Sequence, residues 1–528
     1  MSLKALAIAA LLITLALYLP TLTLLAPYQE LHFGALVQQL FLSSEVPAAL
    51  LGTLVSTLGS LVVALLLSFI FIGALIFTPA YSRFVGQLPL LLAIPHLAFA
   101  VGLYLLLSPK GWLERLLAPL GLNWDGLPLV QDSLGVTLAL ALGIKESWFL
   151  CWIIWAQLER QHFAEQYLIA QTLGYSRAQI IWSTLVPQLL PKLRWPLLAV
   201  AAYSLSAVEM AWVLGPTHPP TLAILAWNWL LDPDPVRRQL GLVVTLCLML
   251  LMLVLISIIW MLPTLLRPGQ PSGRRLGALP GLGQPLLKGV LGVHVLIGLL
   301  LLLWSFTQSW FYPQLLPGKW SLNAWHSLAI EPLINALTLG FSTAVAAIFL
   351  VLLVLEMSFR RTGWMLIPLF LPVLPLVVGQ YQLVLWAELQ PGWFAVWLAH
   401  MLWVLPYVYL VLRPAYQNLH QDQLLCARTF GLGPAALLLR VKVPLLLRPL
   451  CAALALGFSV SLAQYLPTIF IGGGRVDTLT TETLTRFAGG DKRLLGAQTL
   501  VLLLLAFSVY VLAQRLPRIL YPAREAMH

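Results

Sequence analysis

The chain has 528 residues, a net charge of +11, 60% hydrophobic residues and only 9% charged ones. Soluble domains carry about 25% charged residues, and the mean hydropathy of +0.90 excludes a water-soluble core. Apolar runs of bilayer-crossing length recur throughout, without the alternation of an outer-membrane barrel.

Twelve spans are predicted, at roughly 4–25, 48–77, 88–108, 134–156, 193–214, 240–262, 286–309, 333–356, 364–387, 393–412, 449–471 and 494–514. The fold class expected is therefore an all-α polytopic membrane protein. The first run follows Lys4 and resembles a signal peptide in composition. Its length and the lack of a clean small-x-small site favour a retained helix over a cleaved one. If Lys4 is cytoplasmic, the even-numbered loops and the termini are too. They hold Arg83, Arg160, Arg177, Lys192, Arg194, Arg267, Arg274, Arg275, Lys288, Arg360, Arg361, Arg413, Arg428, Arg440, Lys442, Arg448, Arg515, Arg518 and Arg524. The opposite loops hold about half as many, which places both termini in the cytoplasm. Membrane topology thus accounts for the basic balance, and no nucleic-acid partner is implied. Cys151, Cys247 and Cys451 lie in spans and Cys426 in a cytoplasmic loop, so no disulfide is expected and no metal cluster stands out.

A Gly-, Pro- and Arg-rich stretch from Arg267 to Pro285 divides the spans six and six. The chain reads as a first half 1–262 (core 48–262), a linker 263–285 and a second half 286–528 (core 331–514). The halves repeat in order. "IPHLAFAVG" at Ile94 to Gly102 matches "LPVLPLVVG" at Leu371 to Gly379, and "YSLSAVEM" at Tyr203 matches "FSVSLAQY" at Phe458. "TLAILAW" after span five matches "TLTTETL" after span eleven. An even number of spans per half makes this a parallel repeat about an axis along the membrane normal.

The sharpest repeat is a cytoplasmic loop between spans four and five of each half. "LIAQTLGYSRAQIIWSTLVP" runs from Leu168 to Pro187, and "LLCARTFGLGPAALLLRVKVP" from Leu424 to Pro444. Gly174 is a natural helix stop, Ser176 with Gln179 makes a capping-box pattern, and Pro187 ends the second helix. In the other copy Gly431 stops a helix and Gly433-Pro434 starts the next. Each copy reads as a helix–turn–helix at the membrane surface.

These loops resemble the EAA loop of permease subunits from binding-protein-dependent ABC importers: E-A-A, three residues, G, nine residues, I-x-L-P. Ala170, Gly174 and Pro187 match in the first copy, Ala427, Gly431 and Pro444 in the second, with Val186 and Val443 in place of the Leu. The family's Glu is Leu168 and Leu425 here, while Glu165 and Asp422 sit nearly one turn earlier. Thr184 and Val441 replace the family's Ile. "FSVSLAQYLPT" also resembles the "SLSLGEFGAT" segment of fused members, with Gln464 at the usual Glu and Glu209 kept in the first half. A two-in-one chain is typical of the ferric-iron and thiamine branches. The resemblance implies the type I ABC importer transmembrane fold and a bacterial inner-membrane location. It also implies two separate ATP-binding cassette subunits seated on the loops and a periplasmic substrate-binding protein.

No phosphate-cradling GxxxxGK[ST] occurs; the Gly318-Lys319 pair is followed by Trp, and "IGGGRVD" from Ile471 reads as an outward turn. The chain is therefore expected to be a transport subunit rather than an enzyme, with no cofactor of its own and ATP bound by its partners; otherwise it meets membrane lipid. Two other readings stand beside this one. Twelve helices in two parallel halves also describe a secondary carrier, although its basic repeats would fall between spans two and three. A membrane-embedded transferase would need outward acids, and Asp232 and Asp234 in "LLDPDPVRR" are the nearest. The sequence does not name the substrate.

Lys145 and Glu146 fall in span four and Glu209 in span five, at bilayer depth. Adjacent residues point about 100° apart on a helix, so Lys145 is expected to pair with Glu209, leaving Glu146 toward a cavity. The pair serves either structure or the pathway. Leu402, Trp403 and Gln464 stand at the corresponding places of the second half.

Overall fold

The computed structural model describes residues 3–29, 31, 33–76, 78–121, 129–159, 163–265, 279–357 and 362–520. Arg160, Arg267, Arg274, Arg275, Arg360, Arg361 and Arg524 lie outside them, as does most of the expected linker.

The first half includes α1 (Leu3–Leu17), α2 (Glu45–Leu75), α3 (Ala80–Ala93), α4 (His96–Leu107), α5 (Val136–Glu159), α6 (Phe163–Thr172), α7 (Arg194–Leu205), α8 (Val208–Leu214), α9 (Leu222–Leu230) and α10 (Pro235–Leu265). The second half repeats the order. It has α11 (Leu279–Ser305), a two-stranded ribbon of β1 (Thr307–Ser309) and β2 (Lys319–Trp320), α12 (Glu331–Glu356), a 3-10 stretch (Gly363–Phe370) and α13 (Val373–Trp386). It continues with α14 (Trp393–Gln417), α15 (Gln421–Thr429), α16 (Leu447–Leu462), α17 (Leu466–Gly472), α18 (Leu479–Ala488) and α19 (Lys492–Leu520).

Among the described residues, seven helices are long and apolar enough to cross a bilayer, and five bent pairs bring the total up to 12. The twelve spans expected are reached when each bent pair counts as one span. The span at 88–108 is bent by 89° between α3 and α4, and its second-half counterpart by 110° at the 3-10 stretch. Pro95 and Pro372 stand at these corners. Proline lacks the N–H that a helix needs and turns the preceding residue extended, as at Ile94 (ψ 117) and Leu371 (ψ 143). The span at 193–214 is bent by 56° between α7 and α8. The ends of the linker expected at 263–285 are helical, since α10 runs to Leu265 and α11 starts at Leu279.

Two packing rules organise the bundle. The first is close approach of small residues. On α2 the buried positions Ala49, Gly52, Thr53, Ser56, Thr57, Ser60 and Ala64 recur at helical spacing, and α5 lies along them. A β-carbon on Gly143 would stand 2.5 Å from Val63, and one on Gly59 2.9 Å from Ala139, so the backbones approach as closely as glycine allows. Thr53 and Ser60 give their hydroxyl hydrogens back to carbonyls or, at 2.9 Å, to Ser204 on α7.

The second rule is exchange. Helix α1 packs against α12 and α14 of the other half, and the Tyr18 hydroxyl just beyond it donates to the Met365 carbonyl at 2.6 Å. Helix α11 crosses the opposite way, onto α2 and α4. Trp148 on α5 donates its ring N–H toward Nε2 of buried His294 on α11 at 3.2 Å. Each half is thus clasped by the leading helix of the other.

The crossing of α11 over α4 depends on Gly102, where a β-carbon would stand 2.1 Å from Ile297 Cγ2. Overpacking costs about 1–3 kcal/mol. Gly102→Val should lower the yield of monodisperse protein, and adding Ile297→Ala should recover part of it. Equal yield from Gly102→Val alone would show that this crossing is not tight.

Candidate functional site

Both repeated loops form the helix–turn–helix expected from the sequence. In the first, α6 ends at Gly174 with φ +83. The Tyr175 N–H reaches the Ala170 carbonyl (3.1 Å) and the Gly174 N–H that of Gln171 (2.9 Å), a Schellman arrangement. The Ser176–Gln179 capping box is formed, with the Ser176 N–H donating to Gln179 Oε1 at 2.8 Å. In the second, Gly431 has φ +77 and Pro434 follows the N-cap Gly433. No atom lies within 4 Å of a β-carbon built on either glycine, so the requirement is conformational rather than spatial.

The helix that follows is interrupted in the same way in both copies. Residues Arg177–Ile180 are α-helical, Ile181–Leu185 widen into a π-turn, and Val186–Leu189 resume. The other copy runs Pro434–Leu437, then a π-turn at Leu438–Lys442, then Val443–Leu445. The Val186 N–H bonds to the Ile181 carbonyl and the Val443 N–H to that of Leu438, each five residues back. Pro187 and Pro444 come immediately afterwards, half-buried. A proline crowds the carbonyl four residues before it, and a widened turn relieves that contact.

The loops are fastened to the core at one equivalent place, the loop-side end of the first core helix, by different chemistry. In the first half the Arg177 guanidinium donates to the Ala74 carbonyl at 3.1 Å and also to that of Ile76, capping the end of α2. A cation there complements the helix dipole. In the second half Lys442, in the π-turn, reaches Glu356 Oε1 at the end of α12 (2.6 Å), and the Tyr416 hydroxyl joins both. Only 7% of Lys442 is exposed. The second loop also has a small apolar cluster of its own, Leu424, Ala427 and Leu437, whereas Phe163, Tyr167 and Ile180 of the first join the main core. Glu165 and Asp422 lie exposed in the first turns of α6 and α15. Ala170 is half-buried and Ala427 buried.

The sequence marks Arg177 and Lys442 only as topological charges and does not single out Glu356 or Tyr416. The repeat itself hides them, because Leu185 occupies the place of Lys442 in the first loop.

The intramembrane charges differ from expectation. Lys145 does not pair with Glu209. Its ammonium donates to the carbonyls of Leu91 (3.1 Å) and Ile94 (2.7 Å), where the proline corner leaves the end of α3 open. A helix end with unpaired carbonyls carries partial negative charge, and it lies nearer than any carboxylate. Glu146 Oε1 meets His96 Nε2 at 3.0 Å, and Glu209 Oε1 accepts from the Tyr203 hydroxyl at 2.8 Å. Gln464 is half-buried and its backbone carbonyl accepts from the Thr468 hydroxyl. Asp232 and Asp234 are turn formers, each accepting the backbone N–H two residues on.

Two expectations follow. Lys145→Met strands two carbonyls at bilayer depth, at about 1–3 kcal/mol each, and should reduce folded yield. Glu209→Gln in the same chain should not rescue it; rescue would restore the direct pair. Lys442→Met or Glu356→Gln alone should lower the thermal midpoint by several degrees, since half of a buried pair costs about 3–5 kcal/mol. The double variant should recover most of it, and a double variant as unstable as the singles would show that the two residues do not act as a pair.

Comparison with known proteins agrees with this architecture. The family described as binding-protein-dependent transport system inner membrane component matches residues 323–524. An inner membrane ABC transporter permease protein of Escherichia coli K12, YnjC, is 38% identical over 497 residues, which is 93% of this chain and 91% of that protein. A homolog of a spermidine/putrescine transport system permease protein from Mycoplasma pneumoniae is 24% identical over 173 residues, 30% of this chain and 60% of that protein.

Proposed function

The chain belongs to the family of inner membrane components of binding-protein-dependent transport systems, and we propose that its two repeated loops are the levers by which ATP hydrolysis moves it. It is the multi-pass, membrane-spanning permease subunit of an ABC importer in the inner membrane, working with ATPase and substrate-binding partners. The finer reading is that two ATPase subunits each take one loop helix into a groove, one per half, and that the translocation path runs between the halves.

The observation that carries this reading is a duplicated apolar surface. Leu168 is 61% exposed and Leu425 55%; Leu173 is 71% exposed and Phe430 81%. Each pair is separated by the offset that relates Gly174 to Gly431. Large exposed apolar groups on short polar-flanked helices suit a partner's groove. The fastenings at Arg177 and Lys442 supply rigidity, so a push on the loop reaches α2 and α12 instead of being absorbed.

The test is steric and specific. Asparagine tolerates a left-handed backbone and β-branched residues do not. Gly174→Val and Gly431→Val should cost about 1–2 kcal/mol in loop geometry and weaken recovery of the ATPase with the permease by about tenfold, with insertion unchanged. Gly174→Asn and Gly431→Asn should retain it. If the valine variants recover the ATPase normally and transport normally, the loops are not its docking sites.

Both termini and both loops are assigned to the cytoplasmic side by the distribution of Lys and Arg. Reporter fusions should report residue 274 as cytoplasmic and residues 40 and 320 as external. An external signal at 274 would invert the topology and the loop assignment together.

A further inference from the structure

The structure gathers an acidic and aromatic chamber where the two halves meet, and we propose that it is a way-station for an organic cation on the translocation path. This rests on the permease reading above and adds the chemical class of the cargo.

The chamber is built around Glu209 and Glu146. Leu205, Val208, Leu405, Val408 and Leu466 are buried, as is Glu146, whereas Tyr203, Glu209, Tyr407 and Tyr465 keep part of their surface open. These open residues come from opposite halves. Tyr407 on α14 lies within electrostatic reach of Glu146, and Tyr465, between α16 and α17, within reach of Glu209. Tyr203 feels Glu209, Glu146 and Tyr407 together. The partly open residues of the two halves therefore lie near one another at the seam. The seam is also where Ser206, at the α7–α8 bend, accepts the Val373 N–H of the other half at 2.8 Å.

Charge identifies the ligand. Lys145 is turned onto the carbonyls of α3 rather than into a direct ion pair, with Glu146 within its electrostatic reach. Glu146 has His96 at 3.0 Å, and Glu209 accepts from the Tyr203 hydroxyl with the same His96 within electrostatic reach, so one imidazole stands near two carboxylates. Leu402, Trp403 and Gln464 stand at the places of Lys145, Glu146 and Glu209 in the second half, so those positions offer no cation from across the seam. Two carboxylates that share one imidazole at bilayer depth are costly, and an arriving cation lowers that cost.

Aromatic faces specify the kind of cation. From the chamber, Tyr465 leads to Trp227 (ring centroids 6.4 Å), Trp227 to Phe470 (5.4 Å) and Phe470 to Tyr381 (4.8 Å), which is 36% exposed. Such faces attract ammonium and other organic cations and do not demand a hydration shell. A metal ion is a poor fit, because among the described residues no three His, Cys, Asp or Glu side chains converge on a common point.

The test uses the full chain in lipid nanodiscs with its ATPase subunits bound. The probes are choline, thiamine and putrescine, with ferric citrate, maltose and phosphate as the metal, neutral and anionic members. Thermal midpoint and tryptophan fluorescence are titrated for the parent, Glu209→Gln and Tyr465→Leu. At least one organic cation should raise the midpoint and change the fluorescence. Its affinity should fall about tenfold or more in Glu209→Gln and severalfold in Tyr465→Leu, with the ligand-free midpoint of Glu209→Gln at or above the parent's and that of Tyr465→Leu near it. Stabilisation by maltose, phosphate or iron instead, by no probe at all, or equally in parent and Glu209→Gln overturns the proposal. If a variant proves unstable without ligand, the parent's selectivity among the six probes decides. Recovery of the ATPase with the parent and with Glu209→Gln is read in the same preparations. Its loss in the parent would count against the permease–ATPase reading, whereas its retention with no cation response counts against the chamber alone.

Discussion

A helix that breaks inside an apolar layer exposes backbone groups that water cannot reach, and something else must bond them. The rest of this structure depends on how that demand is met. The corner at Ile94-Pro95 opens the carbonyl end of α3, and Lys145 on α5 closes it. Val373 starts α13 after the corner at Pro372, and its N–H is taken by Ser206 of the opposite half. The end of α2 is closed by Arg177 from the first loop. In each case a side chain from another element supplies the bond, so each break becomes a fixed joint between elements. Breaks that would otherwise be hinges hold the core, the loops and the two halves in register.

That principle explains why the halves can be alike in outline and unlike in detail. Both loops carry a left-handed glycine, a π-turn and a proline at matching positions. Their attachment to the core then diverges: a guanidinium on carbonyls in one half, a buried Lys–Glu–Tyr set in the other. The shared features fix the direction of the loop helix, and the differing ones fix its footing. The charged chamber shows the same asymmetry, with its acids in the first half and much of its aromatic lining in the second. Two copies of one fold thus bring chemically different residues to the seam between them.

Much of this was legible in the sequence, for local reasons. Span number, repeat order and the loop helices follow from hydropathy, from glycine and proline, and from the Ser176 and Gln179 pair, all read within a few residues. The resemblance of the loops to the EAA pattern led to the family that the comparisons then showed. The partners of Lys145 were not legible. A charge in a span suggests an opposite charge, whereas its partners are backbone carbonyls exposed by a proline some fifty residues away, and backbone groups leave no mark in a sequence. Glu356 and Tyr416 were missed because Lys442, which joins them, has no counterpart in the first loop. The exchange of α1 and α11 between halves was likewise hidden, since apolar helices carry little record of which neighbour they touch.

The central claim is that each loop helix and its core helix form one rigid body, so that the halves move and the joints do not. Pulsed electron-spin distances would test it most directly. The parent chain bound to its ATPase would carry labels at Thr172 and Thr429, matching exposed sites on the two loops, and in a second preparation at Thr172 and Leu66, the latter exposed on α2. Adding ATP under non-hydrolysing conditions should shift the distance between the loops by several ångströms, while the distance from loop to α2 stays the same. A loop-to-α2 distance that changes as much as the loop-to-loop distance would contradict the rigid joint.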